Sequence, residues 1–298
     1  MISLPKPNQG VVQAARLCVS NVENQDLANR VIAIEVHLAG KETGYHALAQ
    51  ASQLFSIAES IDVASLVARE EMKWLYKNKF SKLGQPCREI YDELRRGAKM
   101  CPLCNSRVVG TLDHYLPQAK HADYVLTPLN LVPACEACNK IKLSGVADSL
   151  VAQTFHPYYD VLPTDQPWLS AEIVEGVKLS AAFHATPPTH WDAGLQERVK
   201  NHFIAFGLND VYIAKASSEL SQIADYSRDE FKIYGYKGLK AYLERQAASR
   251  AKGDPHSWAA ALYRALAASE WFVAGGAVEW ADHLDALAAR QGRRPPSA

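Results

Sequence analysis

The chain of 298 residues is 48% hydrophobic and carries 32 Lys and Arg against 32 Asp and Glu. This composition excludes global disorder, and the lack of an apolar run of roughly 18 residues excludes a membrane protein. The balanced charge excludes a protein that binds nucleic acid through its overall charge, so any contact with a polyanion must be local.

Residues 1–99 have the pattern of an N-terminal helical region. The segments SLVAREEMKWLYKNKFSKL and REIYDELRRGAK predict helices, the second of which ends at Gly97. Between Arg69 and Lys99, nine Lys or Arg stand against five Asp or Glu. This local excess indicates either a phosphate-binding surface or an ordinary solvated helix face. The start of the chain lacks the order of residues typical of a secretory signal, so we expect a cytoplasmic protein.

Four of the six cysteines form two C-x-x-C pairs with 30 residues between them. The pairs are Cys101 with Cys104, and Cys135 with Cys138. A reducing cytoplasm disfavours disulfides, and this spacing is typical of a structural Zn²⁺ site with tetrahedral geometry, although a redox dithiol remains an alternative. Cys18 and Cys87 stand alone, and we expect them to be buried small apolar residues.

Residues 100–160 change to short β-prone pieces, RVVGTLDHYL and LNLVPAC, followed by a helix that begins near Cys135. Residues 161–298 begin with two alternating runs that predict a hairpin, AEIVEG and KLSAAFH. The rest is helical, with helices expected near 191–206, 210–226, 229–250, 255–268 and 277–290, before a tail, GRRPPSA, expected to be disordered. The predicted fold is mainly α, of α+β class, with a small ββα insert.

The residues in and after the cysteine-bracketed segment include the groups that phosphodiester hydrolysis needs. A hydrated Mg²⁺ or Mn²⁺ ion neutralises charge on the phosphoryl group, and Asp113 and Asn139 offer the oxygen ligands that such a hard cation prefers. His114 suits the role of general base, because an imidazole titrates near neutral pH. Lys142, one turn beyond Asn139, is a candidate phosphate contact. His156 in FHPYYD is a candidate addition to the substrate-binding site.

The strings CPLC, TLDHYLP and TPLNLVPACEACNKIK resemble the HNH, or ββα-metal, endonuclease family. In that family two cysteine pairs bracket an Asp-His dipeptide and an Asn-Leu, and a Cys-Asn-x-x-Lys follows. The resemblance implies a DNA endonuclease in which Asn130 pins the loop that carries the base. The third letter of the family name is histidine, and here that position is Asn139, an exchange that favours Mg²⁺ or Mn²⁺ over Zn²⁺ or Ni²⁺.

A looser likeness extends over about residues 75 to 215. The segments REIYDEL, FHPYYD and THWDAGLQERVKNHFIAFGL are similar to HNH proteins of anti-phage defence systems of the Septu or retron-linked type. This likeness implies a defence or restriction effector whose partner is an ATPase or another defence protein. The helical arms around the ββα insert are also a natural surface for a homodimer. An alternative is a zinc-stabilised adaptor that binds nucleic acid or protein without cutting.

Overall fold

The computed structural model describes residues 1–142, 147–176 and 179–291, so the predicted disorder of the GRRPPSA tail falls outside the described residues. The chain divides into two compact units, Met1–Leu162 and Pro163–Ala298. The N-terminal helices and the cysteine-bracketed segment, which the sequence analysis separates at residue 100, belong to the same unit. Helices dominate, and each described sheet is a pair of antiparallel strands, which confirms the predicted α+β class.

The first unit contains a helical layer and a small ββα segment. Its helices are α1 (Val11–Val19), α2 (Gln25–Ala33), α3 (Glu35–Gln50), α4 (Arg69–Leu75), α5 (Arg88–Arg96) and α6 (Glu136–Lys142). Its strands are β1 (Asp62–Val63), β2 (Val67–Ala68), β3 (Thr111–His114) and β4 (Leu131–Ala134). The β1–β2 hairpin interrupts a region that the sequence predicted to be helical. Ala64 and Ser65, the central residues of the turn between β1 and β2, both have positive φ, as a type I′ hairpin turn requires.

The apolar faces of α1 to α5 form one core, and the ββα segment contributes to it. Leu112 of β3 and Leu131 of β4 are buried in the same cluster as the helical side chains. Cys18 and Cys87 lie wholly buried there, as predicted, and burial raises the pKa of the Cys18 thiol. The strands that carry the candidate site residues therefore rest on a helical platform.

The second unit packs helices against one hairpin. Its elements are β5 (Leu169–Val174), β6 (Ser180–Ala185), α7 (Ala193–Ala205), α8 (Leu208–Ala251), α9 (Trp258–Ala268) and α10 (Ala277–Arg290). Strands β5 and β6 pair antiparallel, with Leu169 opposite Ala185, as the alternating pattern predicted. Helix α8 contacts β6, and α9 contacts β5.

Helix α8 folds back on itself at Gly235. This glycine has φ 66° and ψ −168°, a backbone conformation open essentially to glycine alone. The Tyr226 and Tyr242 rings lie 4.7 Å apart, whereas 16 residues of straight helix would separate them by roughly 24 Å. Arg250 likewise reaches Glu219 at 2.9 Å. The structure therefore has two antiparallel arms that meet at Gly235, whereas the sequence predicted two helices, at 210–226 and 229–250, with the break between them. Within the described residues, every helix is too short or too polar to cross a bilayer.

Candidate active site and metal centre

The first cysteine pair lies in a tight turn that precedes β3. Met100 and Val108 form an antiparallel bridge across this turn, and the Cys101 amide donates to the Arg107 carbonyl at 2.8 Å. Asn105, directly after the second cysteine, has φ 46°, a left-handed conformation that asparagine tolerates better than most residues. The turn points both sulfurs of the pair in one direction, so C-x-x-C here acts as a knuckle.

The second cysteine pair brings the remaining sulfurs to the same place. Cys135 follows β4, Cys138 lies in the first turn of α6, and the Cys138 amide donates to the Cys135 Sγ at 3.4 Å. The four Sγ atoms all lie within 4.8 Å of one another and are buried. Four thiolates around a tetrahedral Zn²⁺ stand roughly 3.8 Å apart, because each Zn–S bond is about 2.3 Å. The cluster could therefore bind a metal ion such as zinc.

The thiols of this cluster perturb one another strongly. Hydrogen bonds from Cys101 and Cys138 lower the pKa of the Cys104 thiol to about 2, and backbone amides of Ser106 and Arg107 act in the same direction. The hydrogen bond to Cys104 raises the pKa of Cys101 to about 12. One sulfur thus ionises at the expense of its neighbours, and a bound dication is what allows four adjacent thiols to ionise together.

Asp113 and His114 occupy the last two positions of β3. Asp113 pairs with Val132 and His114 with Leu131 of β4, so the two side chains leave the strand on opposite faces. Both are largely withdrawn from solvent, with 4% of Asp113 and 7% of His114 exposed. Helix α6 packs against β3. The order strand, strand, helix is the one that the sequence predicted, and the structure adds the packing of α6 against β3.

One ring nitrogen of His114 is held by the main chain. Its Nε2 lies 3.0 Å from the Val125 carbonyl oxygen. Because a carbonyl only accepts hydrogen bonds, Nε2 carries the proton and Nδ1 carries the lone pair of the neutral imidazole. The Tyr76 ring packs edge-on against the imidazole with centroids 4.5 Å apart. Such a bond fixes the orientation of the imidazole, which a general base at this position needs.

Tyr76 links the basic segment of the sequence to this site. It begins a π-helical turn, Tyr76–Phe80, that continues α4, and such turns are frequent at functional sites. Burial raises the pKa of its phenol, with further contributions from Tyr91 and the nearby Asp113 carboxylate. Several cations of the segment have partners within it, such as Lys73 with Glu70. The segment therefore both supports His114 and carries ordinary surface ion pairs.

Asn130 is wholly buried and fastens the loop between β3 and β4. Its Oδ1 accepts from the Leu116 amide at 2.7 Å and from the Tyr45 hydroxyl at 3.2 Å. Its Nδ2 donates to the carbonyls of Leu116 at 3.0 Å and Tyr124 at 3.1 Å. These four bonds use the full capacity of the amide. Tyr124 immediately precedes Val125, so Asn130 fixes the stretch that orients His114.

The remaining candidates lie in three different settings. Asn139 is half-buried on α6, one residue after the last cysteine, and its backbone N–H donates to the Cys135 carbonyl at 3.0 Å. Lys142 ends α6, but its side chain lies outside the part of the chain that the structure describes. His156 is predicted from the sequence to contact substrate. Its ring is only 2% exposed and both of its nitrogens face protein groups, so it lies in the protein interior rather than on a substrate-facing surface.

Tyr45 is a residue of this region that sequence reasoning missed. It projects from α3 into the cluster around Asn130, where burial raises the pKa of its phenol well above the ordinary value. In the sequence it shares an apolar helix face with Leu38 and Ala49, which is the pattern of any core tyrosine. Nothing in that pattern distinguishes a hydroxyl that bonds a residue 85 positions later.

Comparison with known proteins adds one relative. The chain is similar to Protein ea31 of Escherichia phage lambda, at 25% identity over 297 residues that cover 92% of this chain and 100% of the phage protein. The similarity extends over both compact units. No protein-family model matches the chain, and no solved structure matches it. The name of the phage protein states no activity, so the site itself carries the functional argument.

Proposed function

We propose that the protein is a metal-dependent HNH endonuclease that hydrolyses phosphodiester bonds of DNA and serves as a defence or restriction effector. The observation that carries the proposal is the bond from His114 Nε2 to the Val125 carbonyl, on the strand that also bears Asp113. An imidazole whose tautomer is fixed by a main-chain carbonyl is suited to act as a general base. The packing of α6 against β3 and the cysteine cluster support the same reading.

The roles follow from the groups at each position. With the proton of Nε2 committed to Val125, Nδ1 of His114 accepts a proton from the attacking water. Asp113 and Asn139 would hold Mg²⁺ or Mn²⁺ through a carboxylate oxygen and an amide oxygen, the ligand type that these hard cations prefer. When bound, the ion supplies charge neutralisation at the phosphoryl oxygens and the departing 3′-oxygen. Lys142 is proposed to contact a neighbouring phosphate.

We propose that Zn²⁺ fills the four-cysteine cluster and has a structural role. It would join the turn at Cys101 and Cys104 to the start of α6, which bears Asn139 directly after Cys138. The position of the second oxygen ligand would then depend on the zinc site, although zinc itself would take no part in hydrolysis.

The experiment is cleavage of supercoiled plasmid by the full chain with Mg²⁺, with Mn²⁺ and with EDTA. We expect metal-dependent nicking, and a fall of about 10²- to 10⁴-fold in His114→Ala, the range for loss of a general base. His46→Ala is the matched control, because it removes a part-buried imidazole of the same unit that bonds Tyr159. Cleavage that His114→Ala leaves unchanged would contradict the proposal.

The alternative is a zinc-stabilised adaptor that binds nucleic acid or a partner protein without cutting. It predicts DNA binding or protein binding with no strand scission under any metal. A nuclease that acts only with an ATPase partner predicts a third result, scission that appears when the partner is added. Running the plasmid assay with and without a candidate partner separates these outcomes.

A further inference from the structure

We infer that Tyr45 and His156 are positioning residues, which form a buried hydrogen-bond chain that holds Asn130 and, through it, the loop that orients the His114 base. The inference rests on the proposed function, since it assigns these residues to the same site. The chain runs from His156 Nε2 to the Tyr45 hydroxyl at 2.9 Å, and from that hydroxyl to Asn130 Oδ1 at 3.2 Å. All three side chains are buried.

The direction of each bond in this chain follows from its ends. The Tyr158 amide donates to His156 Nδ1 at 3.2 Å, so Nδ1 is the acceptor and Nε2 carries the proton of the neutral ring. Nε2 therefore donates to the Tyr45 oxygen. Burial raises the pKa of Tyr45, so the phenol keeps its proton and donates it to Asn130 Oδ1. Every link has one donor and one acceptor, with no conflict along the chain.

The amide orientation of Asn130 is fixed by the same network. Its Nδ2 faces two carbonyls, and its Oδ1 faces the Leu116 amide and the Tyr45 hydroxyl. A flipped amide would set an oxygen against two carbonyl oxygens and a donor against the Leu116 amide, which is unfavourable for buried groups. Tyr45 thus stabilises the orientation in which Asn130 holds Leu116 and Tyr124.

The aromatic packing around the chain gives it a second path to the base. The His156 ring lies 4.3 Å from the Tyr115 ring, and Tyr115 directly follows His114 in the sequence. Tyr45 itself packs against Tyr124 at 5.4 Å. His156 therefore packs against the neighbour of His114, and Tyr45 packs against the neighbour of Val125, whose carbonyl bonds the His114 ring. A shift in Tyr45 or His156 should therefore change the orientation of the His114 imidazole.

The test compares Tyr45→Phe with Tyr159→Phe in the full chain. Tyr159→Phe is matched, because it also removes a hydroxyl bonded to a histidine, at 3.0 Å to His46 Nδ1, within the same aromatic cluster. We expect kcat of Tyr45→Phe to fall by about 10- to 100-fold, as for residues that orient a catalytic group, with KM for plasmid near that of the control. Equal kcat in the two variants would overturn the inference.

Conservative replacement of His156 gives an independent comparison. His156→Gln keeps an amide N–H near the position of Nε2 and should retain most of the turnover, whereas His156→Leu has similar bulk but no donor and should behave like Tyr45→Phe. If Gln and Leu reduce kcat equally, packing rather than the hydrogen bond is responsible and the positioning role fails.

A structural measurement separates failure of this inference from failure of the proposed function. The Leu116 amide donates to Asn130 Oδ1, so its hydrogen exchange reports on the pinned loop whether or not the protein cuts DNA. Faster exchange at Leu116 in Tyr45→Phe than in Tyr159→Phe supports the chain even if no nuclease activity is found. Unchanged exchange overturns it even if the wild-type protein is an active nuclease.

Discussion

Replacing Asn130 by alanine tests how far the loop between β3 and β4 depends on a single side chain. Asn130→Ala removes the partner of four groups, the Leu116 amide and carbonyl, the Tyr124 carbonyl and the Tyr45 hydroxyl. The site is wholly buried, so water does not replace the lost amide without rearrangement. At about 1 kcal/mol for each buried hydrogen bond, the free energy of unfolding of the first unit should fall by about 4 kcal/mol.

The assay is urea unfolding followed by hydrogen exchange of peptides from residues 1–162, which isolates the first unit from the second. Asn139→Ala is the matched control, because that asparagine is half-buried on α6 and should change stability by less than about 1 kcal/mol. It should nevertheless abolish metal-dependent cleavage if it is a metal ligand. Equal loss of stability in both variants would refute the division between a structural and a ligating asparagine.

Three further changes probe other parts of the chain. Cys135→Ser should lose the bound zinc, measured as metal content per chain, and should melt the first unit, whereas Cys18→Ala should keep the metal. Glu71 has a pKa lowered by its arginine partner on α2, so its contribution is present above the ordinary glutamate pKa and is lost as pH falls through the lowered value. Glu71→Gln should therefore cost about 0.5 kcal/mol at neutral pH, and the difference from wild type should shrink in an acid denaturation series as the pH falls from the ordinary glutamate pKa through the lowered one. Gly235→Ala should destabilise by about 1 to 3 kcal/mol in thermal unfolding, while Gly40→Ala, in the open interior of α3, should not; equal melting temperatures would contradict the hairpin in α8.

The parts of the molecule that could be predicted from sequence are those set by local chemistry. The four zinc-type cysteines were identifiable because C-x-x-C places two sulfurs on one turn, whatever surrounds it. The β5–β6 hairpin was identifiable from two alternating runs close together in the chain. The same holds for the order of β3, β4 and α6, since the change from alternating to helical pattern lies within about forty residues.

The parts that could not be predicted depend on contacts between distant segments. One partner of Asn130 is Tyr45 on α3, and no local pattern relates the two. The predicted break after Tyr226 was wrong, because Ser227 is buried and Arg228 pairs with two aspartates of α10, so the first arm of α8 continues to Gly235. Tertiary contacts supplied the stabilisation that the polar sequence at that point lacked.

The shared core of the first unit decides whether the segment of residues 100–160 could fold when it is moved into another protein. Leu112 of β3 and Leu131 of β4 are buried in the core cluster formed by helices α1 to α5. An excised peptide of residues 100–160 would expose that apolar surface to water and lose the Tyr45 hydroxyl together with it. The strands β3 and β4 therefore depend on their helical platform, and the compact unit that keeps strands and platform together is residues 1–162.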